Sequence, residues 1–196
     1  MKALKEILSW IVPIAIGLIV AFGLKAYVLS PVRVDGPSME PNLTNNERVW
    51  MFKQEKIKHL SVIVFDAHGE DPEAKPGTDY VKRVIGLPGD TVAFKNNTLY
   101  VNGKKVNQSF ISKSQATSGT GSSNWTLASL AKQYGWGKHV TKVPKNEYFV
   151  LGDHRSVSND SRYWGFVYKS KVAGVVKVPA WTGTKTQRHN INTLGY

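Results

Sequence analysis

The hydrophobic pattern divides the chain into two unlike parts. Between Glu6 and Lys25 lie 18 consecutive uncharged residues, Ile7 to Leu24, almost all apolar, and the chain continues as Ala26-Tyr27-Val28-Leu29. At 1.5 Å per residue, about 20 helical residues cross a bilayer core of roughly 30 Å. Lys25 can snorkel to the interface, which extends the span to Tyr27. Pro13 and Gly17 suit a membrane helix better than a soluble one. Lys2 and Lys5 make a basic start, and Ala21-Phe22-Gly23 has small outer residues, as a cleavable signal peptide would. Cleavable apolar regions run about 7–15 residues, however, so the longer segment reads as a retained anchor over residues 1–29. Lys25 and Arg33 follow the span, so flanking charge does not settle its orientation.

Beyond residue 30 the period shortens to that of strands. Val32-Arg33-Val34-Asp35 alternates, as does Val62 to Phe65 in part. Tyr80 to Ile85 is dense in β-branched residues and stops at Gly86-Leu87-Pro88-Gly89-Asp90, a turn signal. Thr91 to Phe94 and Thr98 to Val101 flank Lys95-Asn96-Asn97, and a second turn follows at Asn102-Gly103, as in a strand meander. Ser112 to Asn124 is rich in Ser, Thr and Gly and reads as a loop or insert. Leu127 to Tyr134 reads as a short helix, and Glu147 to Leu151 and Val172 to Val178 as strands. The predicted class is mainly β: an antiparallel sheet with many turns behind one N-terminal helix. The core is expected over 30–94 and 146–180. Residues 95–145 form an insert, either a small lobe or only loops, and 181–196 form a tail.

Composition narrows the function. Lys and Arg number 26 against 14 Asp and Glu, a net charge of +12. Such a surplus suits nucleic acid or acidic lipid. No helix-turn-helix pattern or zinc-finger spacing is present, so nucleic acid is not an expected partner and a bilayer is. The absence of cysteine removes disulfides, cysteine nucleophiles and Cys-based metal sites. Histidines 59, 68, 139, 154 and 189 have no close ligand spacing, and there is no His-Glu-x-x-His and no Gly-x-Ser-x-Gly. Neither a metal nor a cofactor is expected.

Three segments carry the chemistry: Asp35-Gly36-Pro37-Ser38-Met39-Glu40-Pro41-Asn42-Leu43, then Tyr80 to Asp90 with Lys82-Arg83, then Gly152-Asp153-His154-Arg155 onward through Ser158, Asp160 and Arg162 to Val167. Ser38 stands on a turn between two prolines, where a displayed serine needs a base to become a nucleophile. Strand alternation sends Tyr80, Lys82 and Val84 to one face and Val81, Arg83 and Ile85 to the other, so the two adjacent cations point apart. An ordinary lysine, with a pKa of about 10.4, is almost wholly charged at neutral pH. A base at pH 7 needs that value lowered by burial, worth roughly 4.6 kcal/mol. A carboxylate would push the other way, so no acidic side chain is expected in contact with the amine.

These blocks, in this order behind an apolar segment, resemble type I signal peptidases, the serine–lysine leader peptidases, in particular the short single-span kind of Gram-positive type. The resemblance implies a membrane-bound serine endopeptidase that cuts signal peptides from exported preproteins on the extracytoplasmic face of the cell membrane. It implies Ser38 as nucleophile, Lys82 as base and Ser158 as the hydroxyl orienting the amine. It implies shallow pockets for small residues lined by Val34, Met39, Leu43, Tyr80 and Val81, and a supporting ion-pair network of Arg83, Asp153, Arg155, Asp160 and Arg162. The Ser38 N–H is the expected oxyanion donor. Some family members carry a serine at the place of Gly36, and Pro37 has no N–H, so the second donor stays open. His154 stands where asparagine is frequent, without an expected effect. Trp164, Phe166 and Trp181 could rest on the membrane or pack in the core. The rival readings are a self-cleaving repressor-type serine–lysine peptidase and a membrane-tethered β binding module. A reaction between Asp153 and Asp160 as paired carboxylates is disfavoured.

Overall fold

The computed structural model describes residues 2–118, 124–136 and 140–196. Helix α1 (Lys2–Tyr27) runs directly into strand β1 (Leu29–Arg33). Its stretch Ser9–Tyr27 is long and apolar enough to cross a membrane. None of that stretch is buried by the rest of the chain, and Trp10, Ile19 and Phe22 are exposed. Apolar side chains exposed on all sides over residues 9–22 suit a helix whose solvent is lipid.

The remaining strands are β2 (Arg48–Phe52), β3 (Val62–Asp66), β4 (Asp79–Gly86), β5 (Val92–Lys95), β6 (Thr98–Val101), β7 (Lys104–Lys105), β8 (Trp125–Thr126), β9 (Glu147–Leu151), β10 (Val167–Tyr168) and β11 (Val172–Lys177). They form a seven-stranded sheet in the order β1-β2-β11-β3-β4-β9-β10 and a four-stranded sheet in the order β7-β6-β5-β8. Every pairing within them is antiparallel. The expected β class therefore holds. The meander holds too: Asn96, Asn97, Asn102 and Gly103 take the positive φ that tight hairpin turns require.

Both faces of the large sheet are covered. Along β3, Val62 and Val64 pack with Val34, Val49 and Val176. Ile63 and Phe65 pack on the opposite face with Val84, Val150 and Trp164. This is period-2 alternation applied to a strand apolar on both sides. A third core joins the small sheet to the large one through Phe94, Leu99, Trp125, Phe149 and Ile85.

Among the described residues four α-helices follow α1, in the middle and second half of the chain. Helix α3 (Leu127–Tyr134) lies where the sequence predicts it, after α2 (Lys113–Thr117). Within the predicted Ser112–Asn124 loop, Ser112 caps α2 by accepting from the Gln115 N–H, so part of that loop is helical. Residues 119–123 lie outside the described residues. Helix α4 (Ser161–Trp164) is one turn, capped by Asp160. Helix α5 (Lys185–Asn192) has a capping box made by Thr184 and Gln187, a sequence signal present in the stretch read as a tail. It buries Asn190 and Ile191 against the large sheet. Trp164 and Phe166 are 8% and 9% exposed and belong to the core, whereas Trp181 is 78% exposed.

Candidate active site

Ser38 stands in the loop between β1 and β2. The chain reverses there with Gly36 at φ +80°, a conformation glycine adopts without strain. The Pro37 carbonyl accepts from Glu40 N–H, and the Met39 carbonyl accepts from Asn42 and Leu43 N–H. Met39 and Leu43 anchor the turn by sinking into the core at 1% and 0% exposure. Apolar side chains inside and a hydrogen-bonded backbone outside hold the serine at a set height.

Lys82 comes from β4, whose register sets Ile63 opposite Lys82 and Val62 opposite Arg83. Its Nζ donates to Ser38 Oγ at 2.8 Å. The side chain is only 4% exposed. Among the described residues no carboxylate lies within 4.0 Å of the amine, as the chemistry requires. The ring of Tyr80, two residues back on the same face, has its centre 5.0 Å from Nζ. Burial pushes the Lys82 pKa down from 10.5 to about 8. Asp160, Asp71 and Asp153 oppose that at longer range, and Arg162 assists it. Desolvation wins because, among the described residues, the amine's one hydrogen-bond partner is the neutral Ser38 hydroxyl.

The five ionic residues form two ion pairs, and Arg155 joins the Asp160–Arg162 pair through the backbone, its carbonyl accepting from Arg162 Nη2 at 2.7 Å. Arg83 is bidentate on Asp153, Nε to Oδ1 at 2.8 Å and Nη2 to Oδ2 at 2.7 Å, with both side chains fully buried. Arg162 is bidentate on Asp160 at 2.8 and 2.9 Å. Burial alone would raise the Asp160 carboxyl, but the Arg162 guanidinium holds it below its ordinary value. Arg155 pairs with no carboxylate among the described residues. It donates to the Gly152 carbonyl at 2.9 Å and to Gln108 Oε1. Burial lowers its pKa to about 10.

These groups tie the third block to the serine loop. Asn42 Nδ2 donates to Asp153 Oδ2 at 2.8 Å and to the Phe110 carbonyl. Asn190 of α5 donates to Asn42 Oδ1, and its carbonyl accepts from Arg83. His154 N–H donates to the Ser38 carbonyl at 3.0 Å. Gly152 lies against the same carbonyl: a Cβ there would sit 2.5 Å from it and 2.2 Å from Ser158 Oγ. Ser158 is 2% exposed; its hydroxyl makes no well-formed hydrogen bond among the described residues and lies close enough to Asp160 to help hold that carboxyl down. Among the described residues the expected bond from Ser158 to Lys82 is not formed, although both the Ser158 hydroxyl and the Ser38 carbonyl lie against Gly152.

A cleft of about 240 Å³ opens over the dyad, with Val32, Arg33, Asp35 and Gly36 on one wall and Asp79 to Lys82 on the other. Of the five residues named for the pockets, Tyr80 and Val81 line it. Val34, Met39 and Leu43 are 2%, 1% and 0% exposed and pack in the core beneath the serine loop. Among the described residues β4 has no partner strand on the cleft side at Asp79 to Lys82, its pairing with β9 beginning at Arg83.

Comparison with known proteins agrees with this geometry. A family model described as "Signal peptidase, peptidase S26" matches residues 7–181. The chain belongs to this family. It is 35% identical to signal peptidase IB of Staphylococcus aureus strain COL, with 96% of each chain covered. It is 38% identical to signal peptidase I S of Bacillus subtilis strain 168, with 88% of each covered. A crystal structure of a signal peptidase I from Enterococcus faecalis is similar, with a TM-score of 0.50 and 33% identity over 62% of this chain and 97% of that one. Membership makes the chain a hydrolase of the serine peptidase kind. It leaves the repressor-type peptidase and the binding module without support.

For this signal peptidase, sequence reasoning missed Asn42, Asn190, Asp71 and the latch from His154. Asn42 lies inside the first motif block, and its polarity beside buried Leu43 was the available signal. Asn190 had none, since its partner is 148 residues away in sequence.

Proposed function

We propose that this signal peptidase removes signal peptides from exported preproteins with Ser38 as nucleophile and Lys82 as its general base. The observation that carries the assignment is the 2.8 Å contact between a buried amine without a carboxylate partner and the serine hydroxyl. In this reading the neutral amine takes the hydroxyl proton as Oγ attacks the scissile carbonyl carbon. The protonated amine then gives that proton to the departing amino group, leaving an acyl-enzyme. The same amine deprotonates the water that hydrolyses it. The developing oxyanion is met by the Ser38 N–H, which has no acceptor among the described residues. Gly36 N–H is engaged with Asn45 Oδ1 at 3.0 Å and is not available as a second donor. Ser158 orients the amine once substrate excludes water, a role supported by its buried hydroxyl beside the serine loop.

The substrate lies extended along the open edge of β4, where backbone groups give affinity and the cleft gives selectivity. A volume of about 240 Å³ shared with the dyad favours small side chains next to the cut. Helix α1 lies in the bilayer as a single-pass anchor, the β portion faces the extracytoplasmic side, and the basic surface meets acidic lipid rather than nucleic acid.

The test is the pH dependence of kcat/KM for a defined preprotein. Since only the neutral amine reacts, the rate should rise about tenfold per pH unit and level off near the Lys82 pKa of about 8. A rise that continues to the ordinary lysine value of about 10.4 would remove Lys82 as the base. Gly152→Ala should lower kcat by about 100-fold, because its methyl displaces the Ser38 carbonyl it overlaps, and a shift of about 1 Å at a reacting group has that cost. Wild-type rates in a folded Gly152→Ala variant would show that the serine loop tolerates movement.

A further inference from the structure

Asp71, in the loop between β3 and β4, is 2% exposed, and among the described residues no cation lies within 4.0 Å of it. All its carboxylate contacts are neutral. Oδ1 accepts from the Glu73 N–H at 3.0 Å, which closes a local turn. Oδ2 reaches outward and accepts twice, from Tyr80 OH at 2.7 Å and from Asn159 Nδ2 at 2.7 Å. The loop needs only the first oxygen. A buried carboxylate without a cation is an expensive way to gain stability, so the second oxygen calls for another explanation.

Both groups held by Oδ2 line the cleft over the dyad. Tyr80 is on β4, and its ring stands 5.0 Å from Lys82 Nζ. Asn159 follows Ser158 and is 88 residues from Asp71 in sequence. Asp71 also borders a neighbouring hollow of about 690 Å³ together with Ser158 and Asn159, so its bonds form the partition between that hollow and the cleft. We propose that Asp71 is a positioning residue whose single oxygen pins Tyr80 and Asn159 at a fixed separation and thereby sets the width of the peptide cleft beside the Ser38–Lys82 pair. The proposal rests on the cleavage reading above. With the clamp intact the Tyr80 ring cannot swing away from Lys82, and the cleft keeps the size that excludes bulk. With it broken, the tyrosine side chain regains rotamer freedom and the partition opens toward the larger hollow.

The experiment compares the full chain in detergent with Asp71→Ala, Tyr80→Phe and the double variant. The substrates are two signal-peptide-type peptides that differ only in alanine or valine before the scissile bond. Each single variant should lower kcat/KM for the alanine peptide about tenfold, mainly through KM, as expected for loss of a hydrogen bond to a charged group. Each should also narrow the preference for alanine over valine, and the double variant should be no worse than Asp71→Ala. Tyr80→Phe removes one oxygen and leaves the loop's own bonds intact, so it carries the test even if Asp71→Ala does not fold. An unchanged alanine-to-valine ratio in folded Tyr80→Phe, or losses that multiply in the double variant, overturns the positioning role. A parent protein that cuts neither peptide overturns the cleavage reading and this one with it.

Discussion

Exchanging Lys82 for methionine is expected to abolish cleavage while making the folded protein more stable at neutral pH. The loss should be about 10⁴-fold or more in kcat, the scale seen when one member of a nucleophile–base unit is removed. Ser38→Ala should match it, and the two together should cost no more than either, because they act as one device. The stability change follows from the same burial that creates the base. Folding lowers the Lys82 pKa from 10.5 to about 8, so the unfolded chain binds the proton more tightly. Below about pH 8 the amine is charged in both states, and the folded state bears the full cost of desolvating it, about 3 kcal/mol. That cost fades as pH rises from about 8 to 10.5, where the folded amine is neutral and the unfolded one still protonated. Methionine fills a similar volume without a charge and forfeits only the bond to Ser38 Oγ, about 1 kcal/mol. A net gain of about 2 kcal/mol at pH 7, shrinking toward pH 10, is the expected result in thermal unfolding. Ser38→Ala leaves the amine in place and should show no such gain. Cleavage surviving in Lys82→Met, or a Lys82→Met protein no more stable than the parent at pH 7, would sink the buried-base account.

The alternation of Tyr80 to Ile85 was legible because side-chain direction in a strand is a local property. It separated Lys82 from Arg83, and their different fates follow from it. One faces the serine and loses water without a carboxylate in contact; the other faces Asp153 and keeps its charge. The apolar helix, the hairpin asparagines and α3 were legible for the same reason. What local pattern could not supply was the depth of a residue. Val34, Met39 and Leu43 have the side chains of a shallow apolar pocket, yet they turn inward and support the serine loop from below. Arg155 has the charge of an ion-pair partner, yet it spends its donors on a carbonyl and an amide. The contacts of Asn42 with Asn190, and of Asp71 with Asn159, join segments far apart in the chain, and nothing near either residue announces its partner.

Removing one member of the Arg83–Asp153 pair is expected to destabilise the protein strongly. Both side chains are fully buried and joined by two hydrogen bonds. Asp153→Ala leaves a guanidinium in the interior with only the Leu60 and Asn190 carbonyls and the Phe110 ring, 4.1 Å from its Cζ. Arg83→Met leaves a carboxylate with only the Asn42 amide. A buried charge stripped of its partner costs about 3–5 kcal/mol, which for a chain of this size lowers Tm by roughly 10 °C. Replacing both by apolar residues of similar volume should recover most of that loss, because the desolvation penalty disappears with the charges. Activity should not recover in parallel. Asp153 Oδ2 also accepts from Asn42, four residues past the nucleophile, so the double variant regains stability while the serine loop stays unpinned. A double variant that is stable and fully active would mean that the pair serves folding alone; one that is stable and slow, by about tenfold or more, ties it to the placement of Ser38.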